Sequence, residues 1–202
     1  MTTTPATARC FGDGDPLYAD YHDTEWGVPV RGDRELYERV SLEAFQSGLS
    51  WLTILRKRPA FRAAFAGFDP QKVAAFGDDD VARLLADAGI VRNRAKISAE
   101  IANARAVLAL WGDGRTLTDL VWSHAPAERV RLPRAIAFGE VPASPPESLA
   151  LARALKSAGF RFVGPTTAYA AMQSCGLVDD HLADCPAVAR TDQRSDPLIL
   201  NR

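Results

Sequence analysis

The sequence predicts an all-α fold, and three observations carry the prediction. Apolar residues recur at helical spacing in segment after segment. The longest such stretch runs from Asn93 to Trp111, with Ile97, Ile101, Ala104, Val107, Leu108 and Trp111 on one stripe. Capping residues, prolines and glycines bracket these segments, and no alternating apolar–polar pattern of useful length competes with them.

Taken in order, residues 1–9 read as a disordered lead. Cys10 to Val30 is rich in Gly, Asp, Pro and aromatics and reads as loop with short helix. Asp33 N-caps a helix running to about Ser47, with Leu36, Val40 and Ala44 on one face, and Gly48 stops it. Ser50 caps a second helix, Trp51 to about Lys57. Asp69-Pro70 opens a third with a cap followed by proline at its first position. Asp78 opens the next, spaced by Val81, Leu84, Leu85 and Ala88 and ended by Gly89. After Asn93–Trp111 comes a short helix from Thr118 to His124, then an irregular stretch at 125–143 with an extended piece at Val130 to Leu132. Ser144-Pro145 opens a helix that Gly159 closes, and Gly164-Pro165 opens the last, which Gly176 closes. The domain therefore spans residues 10–185, and residues 186–202 read as a flexible tail.

With 202 residues, the chain can bury a core without disulfide staples. Its 24 basic and 25 acidic side chains leave a net charge of −1, which excludes a strongly basic nucleic-acid binder at the level of the whole chain but leaves room for a local basic face. No apolar run reaches the roughly 20 residues that span a bilayer. Met1 to Ala8 has no apolar signal region, and three cysteines make no disulfide framework. A cytoplasmic location fits these features.

Four places carry chemistry. In LLADAGIVRNRAK (84–96), a helix ends at Gly89, Ile90-Val91 form a tight turn, and a helix starts near Asn93. Free amides beside a helix N-terminus suit a phosphate, and Arg92, Arg94 and Lys96 add positive charge. This is the shape of a helix-hairpin-helix clamp at about 78–111; an ordinary helix corner with solvated arginines is the alternative. Cys10, His22, His181 and Cys185 form two pairs at the two ends of the chain, the donor set of a closed tetrahedral zinc site. A buried cysteine and surface histidines without metal are the alternative there. Cys175 reads as core and His124 as a capping or surface residue. Glu43 stands in SLEAFQSGLSW on a helix that should be largely buried, and a buried carboxylate must be paired or used. Arg39, one turn earlier, is the structural partner; a carboxylate at the floor of an aromatic pocket for a flat cationic ligand is the functional one. Tyr21, Trp26 and Trp51 supply the aromatics, whereas Trp111 and Trp122 read as core.

These strings, with DPLYADYHDTEWGVP, FDPQKVAAF and GFRFVGPTTAYAAMQSCGLVDDH, resemble the bacterial 3-methyladenine DNA glycosylase I family of the helix-hairpin-helix superfamily, from about Arg9 to Cys185. The resemblance implies a two-lobed all-α fold. It also implies hydrolytic release of 3-methyladenine from alkylated double-stranded DNA by a monofunctional enzyme that flips the nucleotide and leaves an abasic site. It places a structural zinc on Cys10, His22, His181 and Cys185. Glu43 becomes the catalytic and base-binding carboxylate, with Tyr21, Trp26 and Trp51 around the base. Leu49, Gly89, Ile90, Val91, Arg92, Arg94 and Lys96 are placed on the DNA, Leu49 as a wedge. A monomer without nucleotide cofactor is expected. Asp113 and Asp119 lie where the superfamily's catalytic Asp would fall, but neither is assigned. Ala44-Phe45 stand where the family often has Gly-Gln, which leaves activity on 3-methylguanine open.

A non-catalytic protein that binds alkyl lesions is the alternative function. An iron–sulfur glycosylase needs four clustered cysteines, and a zinc hydrolase needs an open coordination position.

Overall fold

Helix starts in this protein are written in its side chains. The computed structural model describes residues 9–130 and 133–188. Among them lie nine α-helices: α1 (Pro16–Thr24), α2 (Asp33–Gln46), α3 (Trp51–Ala64), α4 (Pro70–Ala74), α5 (Asp78–Ala86), α6 (Arg94–Gly112), α7 (Leu117–Trp122), α8 (Pro146–Ser157) and α9 (Pro165–Ser174). Asp15, Ser50, Asp69, Asn93 and Thr116 each accept a hydrogen bond from a first-turn amide, opening α1, α3, α4, α6 and α7. Proline occupies the first turn of α1, α4, α8 and α9, where its missing N–H costs nothing.

The all-α expectation holds: among the described residues the only extended pairing is an isolated parallel bridge of Val130 with Asp179. Arg131 and Leu132, the rest of the expected extended piece, lie outside the described residues, as do 1–8 of the lead and 189–202 of the tail. Arg9 is anchored, its guanidinium lying 2.8 Å from Asp23, and Ala187 is buried. No helix among the described residues is long and apolar enough to cross a membrane.

Three expectations need correction. Asp33 is the first residue of α2, and Gly32 holds the cap position. Its carboxylate instead accepts from Leu117 N (2.9 Å), Thr118 N (2.8 Å) and Trp111 Nε1 (2.6 Å), so Asp33 caps α7 from 84 residues away. Trp111 consequently sits at the surface, 37% exposed, with its indole N–H on Asp33. The second helix does not stop at Lys57; α3 continues through Pro59 to Ala64 because Phe61 and Ala64 bury into the core, a gain that outweighs the one backbone bond proline removes.

α2 is central and touches α3, α6, α7 and α9. α6 packs on α4 and α5, and α9 packs on α8. Phe45, at the end of α2, stacks into a fully buried aromatic cluster with Phe61 (4.7 Å between ring centres) and Phe65 (5.7 Å).

The segment after α1 is clasped by the far end of the chain. Gly27, at φ +76°, leaves room for no side chain, since a Cβ there would lie 2.9 Å from His181 Cε1. Gly176, at φ +71°, lies so close to Pro29 that a Cβ would be 2.6 Å from its nitrogen. Arg129 bonds the carbonyl oxygens of both Gly27 and Gly176.

Candidate active site and metal-donor cluster

A cavity of about 180 Å³ opens where α1, α2, α3 and α9 converge. Its walls are Phe11, Tyr18, Tyr21, Trp26, Trp51 and Phe138, and its polar atoms come from Glu43, Gln46 and Gln173. Tyr21, Trp26 and Trp51 are buried, and the rings of Tyr21 and Trp51 lie 5.3 Å apart. The cavity thus brings together all four residues expected at a pocket: Tyr21, Trp26, Glu43 and Trp51. Phe11, Tyr18, Gln46, Phe138 and Gln173 were not anticipated. The aromatic run at 11–26 was a usable signal for the first two. Gln46 lies one helical turn after Glu43 on α2, a spacing that places it on the same face; nothing in the sequence pointed to Phe138 and Gln173, which reach the cavity only through the packing of the 133–143 loop and α9.

Glu43 is buried at this wall. Burial pushes its carboxyl up to about 7, against the pull of Ser174 and Arg39. The ion pair to Arg39, the structural alternative for this carboxylate, does not form. Arg39 Nη2 bonds Glu25 Oε2 at 2.7 Å, and Arg58 binds the same carboxylate with 2.6 and 2.7 Å contacts. Glu43 makes no ion pair among the described residues, so its charge is available to a ligand. The Trp51 indole N–H is likewise buried and lacks a hydrogen-bond partner there. Phe45 turns away from the cavity into the core, so its bulk fills the space between α2 and α3 and leaves the pocket floor alone.

Beside this pocket, Cys10 Sγ, His22 Nε2 and Cys185 Sγ lie within 4.8 Å of one another and could hold a metal ion. His181 closes on the group, its ring 5.2 Å from that of His22 and 4.6 Å from that of Trp26. Each histidine has its Nδ1 against a carboxylate, His22 on Asp23 at 2.9 Å and His181 on Asp179 at 2.7 Å. That bond puts the proton on Nδ1 and leaves a lone pair on Nε2, the arrangement of a metal-ligating imidazole with its supporting carboxylate. Nε2 of His181 is buried without a hydrogen-bond partner, a cost that a metal would remove. The Cys10 thiol and His22 pull the Cys185 thiol below its ordinary range, which favours a thiolate. The donor set fits a metal ion. Cys175 is buried core, and His124 Nδ1 lies 2.9 Å from the Leu120 carbonyl at the end of α7.

The hairpin between α5 and α6 presents Arg92 and Arg94 to solvent. The backbone amides of Val91 and Arg92 make no hydrogen bond among the described residues, whereas the amide of Gly89 is taken by Asp87 Oδ1 at 2.7 Å. Ile90 is buried and anchors the turn. Lys96 differs from the expectation of a solvent-facing cation. It is buried, and its ammonium donates to the carbonyls of Phe45 (2.9 Å) and Ser47 (2.7 Å) at the C-terminal end of α2. It thereby braces the Gly48–Ser50 loop, from which Leu49 projects with 42% exposure. Asp113 and Asp119 lie on the surface at the ends of α6 and α7, away from the cavity lining.

The methyladenine glycosylase family model matches residues 11–188. The chain is 50% identical over 174 residues to DNA-3-methyladenine glycosylase 1 of Escherichia coli K12, covering 85% of this chain and 91% of that protein. A crystal structure of a 3-methyladenine DNA glycosylase I superposes with a TM-score of 0.85 at 48% identity, covering 89% of this chain and 98% of the other. The Staphylococcus aureus 3-methyladenine DNA glycosylase I, whose structure addresses recognition of 3-methyladenine, matches with a TM-score of 0.82 at 34% identity over 88% of this chain and 94% of its own.

Proposed function

Because the chain belongs to the methyladenine glycosylase family, we propose that it releases 3-methyladenine from alkylated double-stranded DNA in base-excision repair. The observation that carries the reading at this site is Glu43, a buried carboxylate in an aromatic cavity whose neighbouring arginine is bound elsewhere.

Methylation at N3 makes adenine a cation in DNA, and its glycosidic bond is weak before any enzyme acts. A strong general acid is therefore unnecessary, consistent with the remote positions of Asp113 and Asp119. The flipped base enters the cavity against the rings of Tyr21 and Trp51, whose faces favour a cation by roughly 0.5–2 kcal/mol each, with Trp26 beside them. The Glu43 carboxylate accepts hydrogen bonds from the base edge and favours the charged lesion over neutral adenine. As the base leaves, water attacks the sugar carbon and an abasic site remains. No lysine lines the cavity, which supports a glycosylase without lyase chemistry.

On the DNA side, the α5–α6 turn with Arg92 and Arg94 grips the phosphate backbone as a helix-hairpin-helix clamp, and Leu49 fills the gap left by the flipped nucleotide. Gly89, Ile90 and Val91 shape that turn. Cys10, His22, His181 and Cys185 hold a zinc ion that crosslinks the two ends of the domain. This zinc is structural: it ties the Phe11–Trp26 wall of the cavity to the segment after α9 and takes no part in the bond cleavage.

The test is chromatography of bases released from methylated duplex DNA by the wild type and by Glu43→Gln. The proposal expects free 3-methyladenine from the wild type and much less from the variant. Tight DNA binding with no base released would favour a lesion-binding protein, and equal release by both proteins would remove Glu43 from the site.

A further inference from the structure

Gln173 lines the same cavity as Glu43, Tyr21 and Trp51 but comes from α9, which packs on α2. Its amide is not free to turn. Nε2 donates to Asp180 Oδ2 at 2.9 Å, and the Tyr169 hydroxyl donates to the same oxygen. A carboxylate can only accept, so the amide nitrogen must face Asp180. Oε1 is then the amide atom left toward the cavity, and it has no hydrogen-bond partner among the described residues. Asp180 is itself buried, with Tyr169 beside it, so this orientation is held from behind by residues that do not line the cavity. Gln46 also lines the cavity, but its side chain has no partner among the described residues and can present either amide atom. The fixed acceptor is therefore Gln173.

We propose that Gln173 Oε1 is a specificity determinant that reads the exocyclic amino group of the flipped base, with Asp180 as its positioning residue. The inference rests on the glycosylase reading above. Two acceptors, the Glu43 carboxylate and Gln173 Oε1, suit the two N–H bonds of the amino group at C6 of 3-methyladenine. 3-Methylguanine carries a carbonyl oxygen at that position, which would set lone pair against lone pair. A site built to accept a hydrogen bond rejects the analogue that cannot donate it more strongly than an apolar wall would. The pocket then discriminates against 3-methylguanine by the fixed orientation of an amide, not by its size.

The experiment measures 3-methyladenine and 3-methylguanine released from one methylated duplex by the wild type, Gln173→Met and Asp180→Asn, with thermal melts of each protein. Gln173→Met keeps the side-chain length and removes the acceptor. It should lower 3-methyladenine release by roughly ten-fold and leave 3-methylguanine release unchanged or higher. Asp180→Asn frees the amide to turn and should move the ratio in the same direction. A proportional loss of both bases, or an unchanged ratio, overturns the proposal. Should Gln173→Met fail to fold, the ratio from Asp180→Asn decides alone. Should the wild type release neither base, the glycosylase reading fails first. Titration of the free bases against tryptophan fluorescence then reads the pocket by itself, and equal affinity for the two overturns the proposal there as well.

Discussion

Replacing Glu43 by glutamine should stabilise the protein in neutral and alkaline solution while removing its function. Burial raises this carboxyl from its ordinary 4.5 to about 7, so the folded chain holds the proton more tightly than the unfolded one. The stability tied to that proton is fully present below pH 4.5, is lost as pH rises toward 7, and stays lost above it. Each pH unit is worth about 1.4 kcal/mol, so the ionised side chain costs the fold about 3 kcal/mol at pH 8. Glutamine carries no charge and escapes that cost, although its buried amide gives part of the gain back. In a chain of this size 3 kcal/mol corresponds to roughly 6–12 °C in Tm. Calorimetric melts of the two proteins from pH 4 to pH 8 make the comparison. The difference should be near zero at pH 4 and widen through neutrality in favour of the variant. Glu100, also buried and also raised to about 7, is present in both proteins and cancels. A variant that is less stable at pH 8, or a difference independent of pH, would show that Glu43 is paired in the fold and not held in reserve for a ligand.

Three further outcomes follow from the geometry. Zinc analysis should find one ion per chain, and His181→Ala or prolonged chelation should remove it and lower Tm by several kcal/mol's worth of stability; unchanged melts without metal would refute the crosslink. Arg92→Ala and Arg94→Ala should each weaken DNA binding for all sequences and reduce the slope of log affinity against log salt by about 1, as read by fluorescence anisotropy; an unchanged slope would take the hairpin off the backbone. Phe45→Ala should cost about 3–5 kcal/mol in denaturant melts yet leave the ratio of released bases where it was; a changed ratio would place Phe45 at the pocket floor after all.

Much of the scaffold was legible because caps act within a few residues. Ser50, Asp69 and Asn93 sit where their side chains reach the next amides, and Gly159 and Gly176 supply the positive φ that follows a helix end. The pocket aromatics and Glu43 were legible because a carboxylate in an apolar helix is conspicuous. What sequence spacing misassigned has one physical origin: partners far away along the chain. Asp33 looks like a local cap but serves α7. Arg39 is one turn from Glu43 but pairs with Glu25. Lys96 stands among clamp arginines but is drawn to the carbonyls of α2, 49 residues back. Gln173 gave no signal, because its meaning depends on Asp180 fixing which amide atom faces the cavity.

The clasp between Gly27 and His181 has a consequence for how the protein is made. Most of the aromatic wall, the four rings from Phe11 to Trp26, is translated first, yet what holds it in place is translated near the end. Leu182 donates its amide to the Cys10 sulfur across 172 residues, and Gly176 seats against Pro29. A nascent chain that has already built α2 and α3 on the ribosome still has an open, unformed pocket. Closure waits for the final stretch and for a long loop to find its other end, a slow step for contacts so distant in sequence. A message truncated just before Leu177 would encode every residue lining the pocket and yield a protein without one.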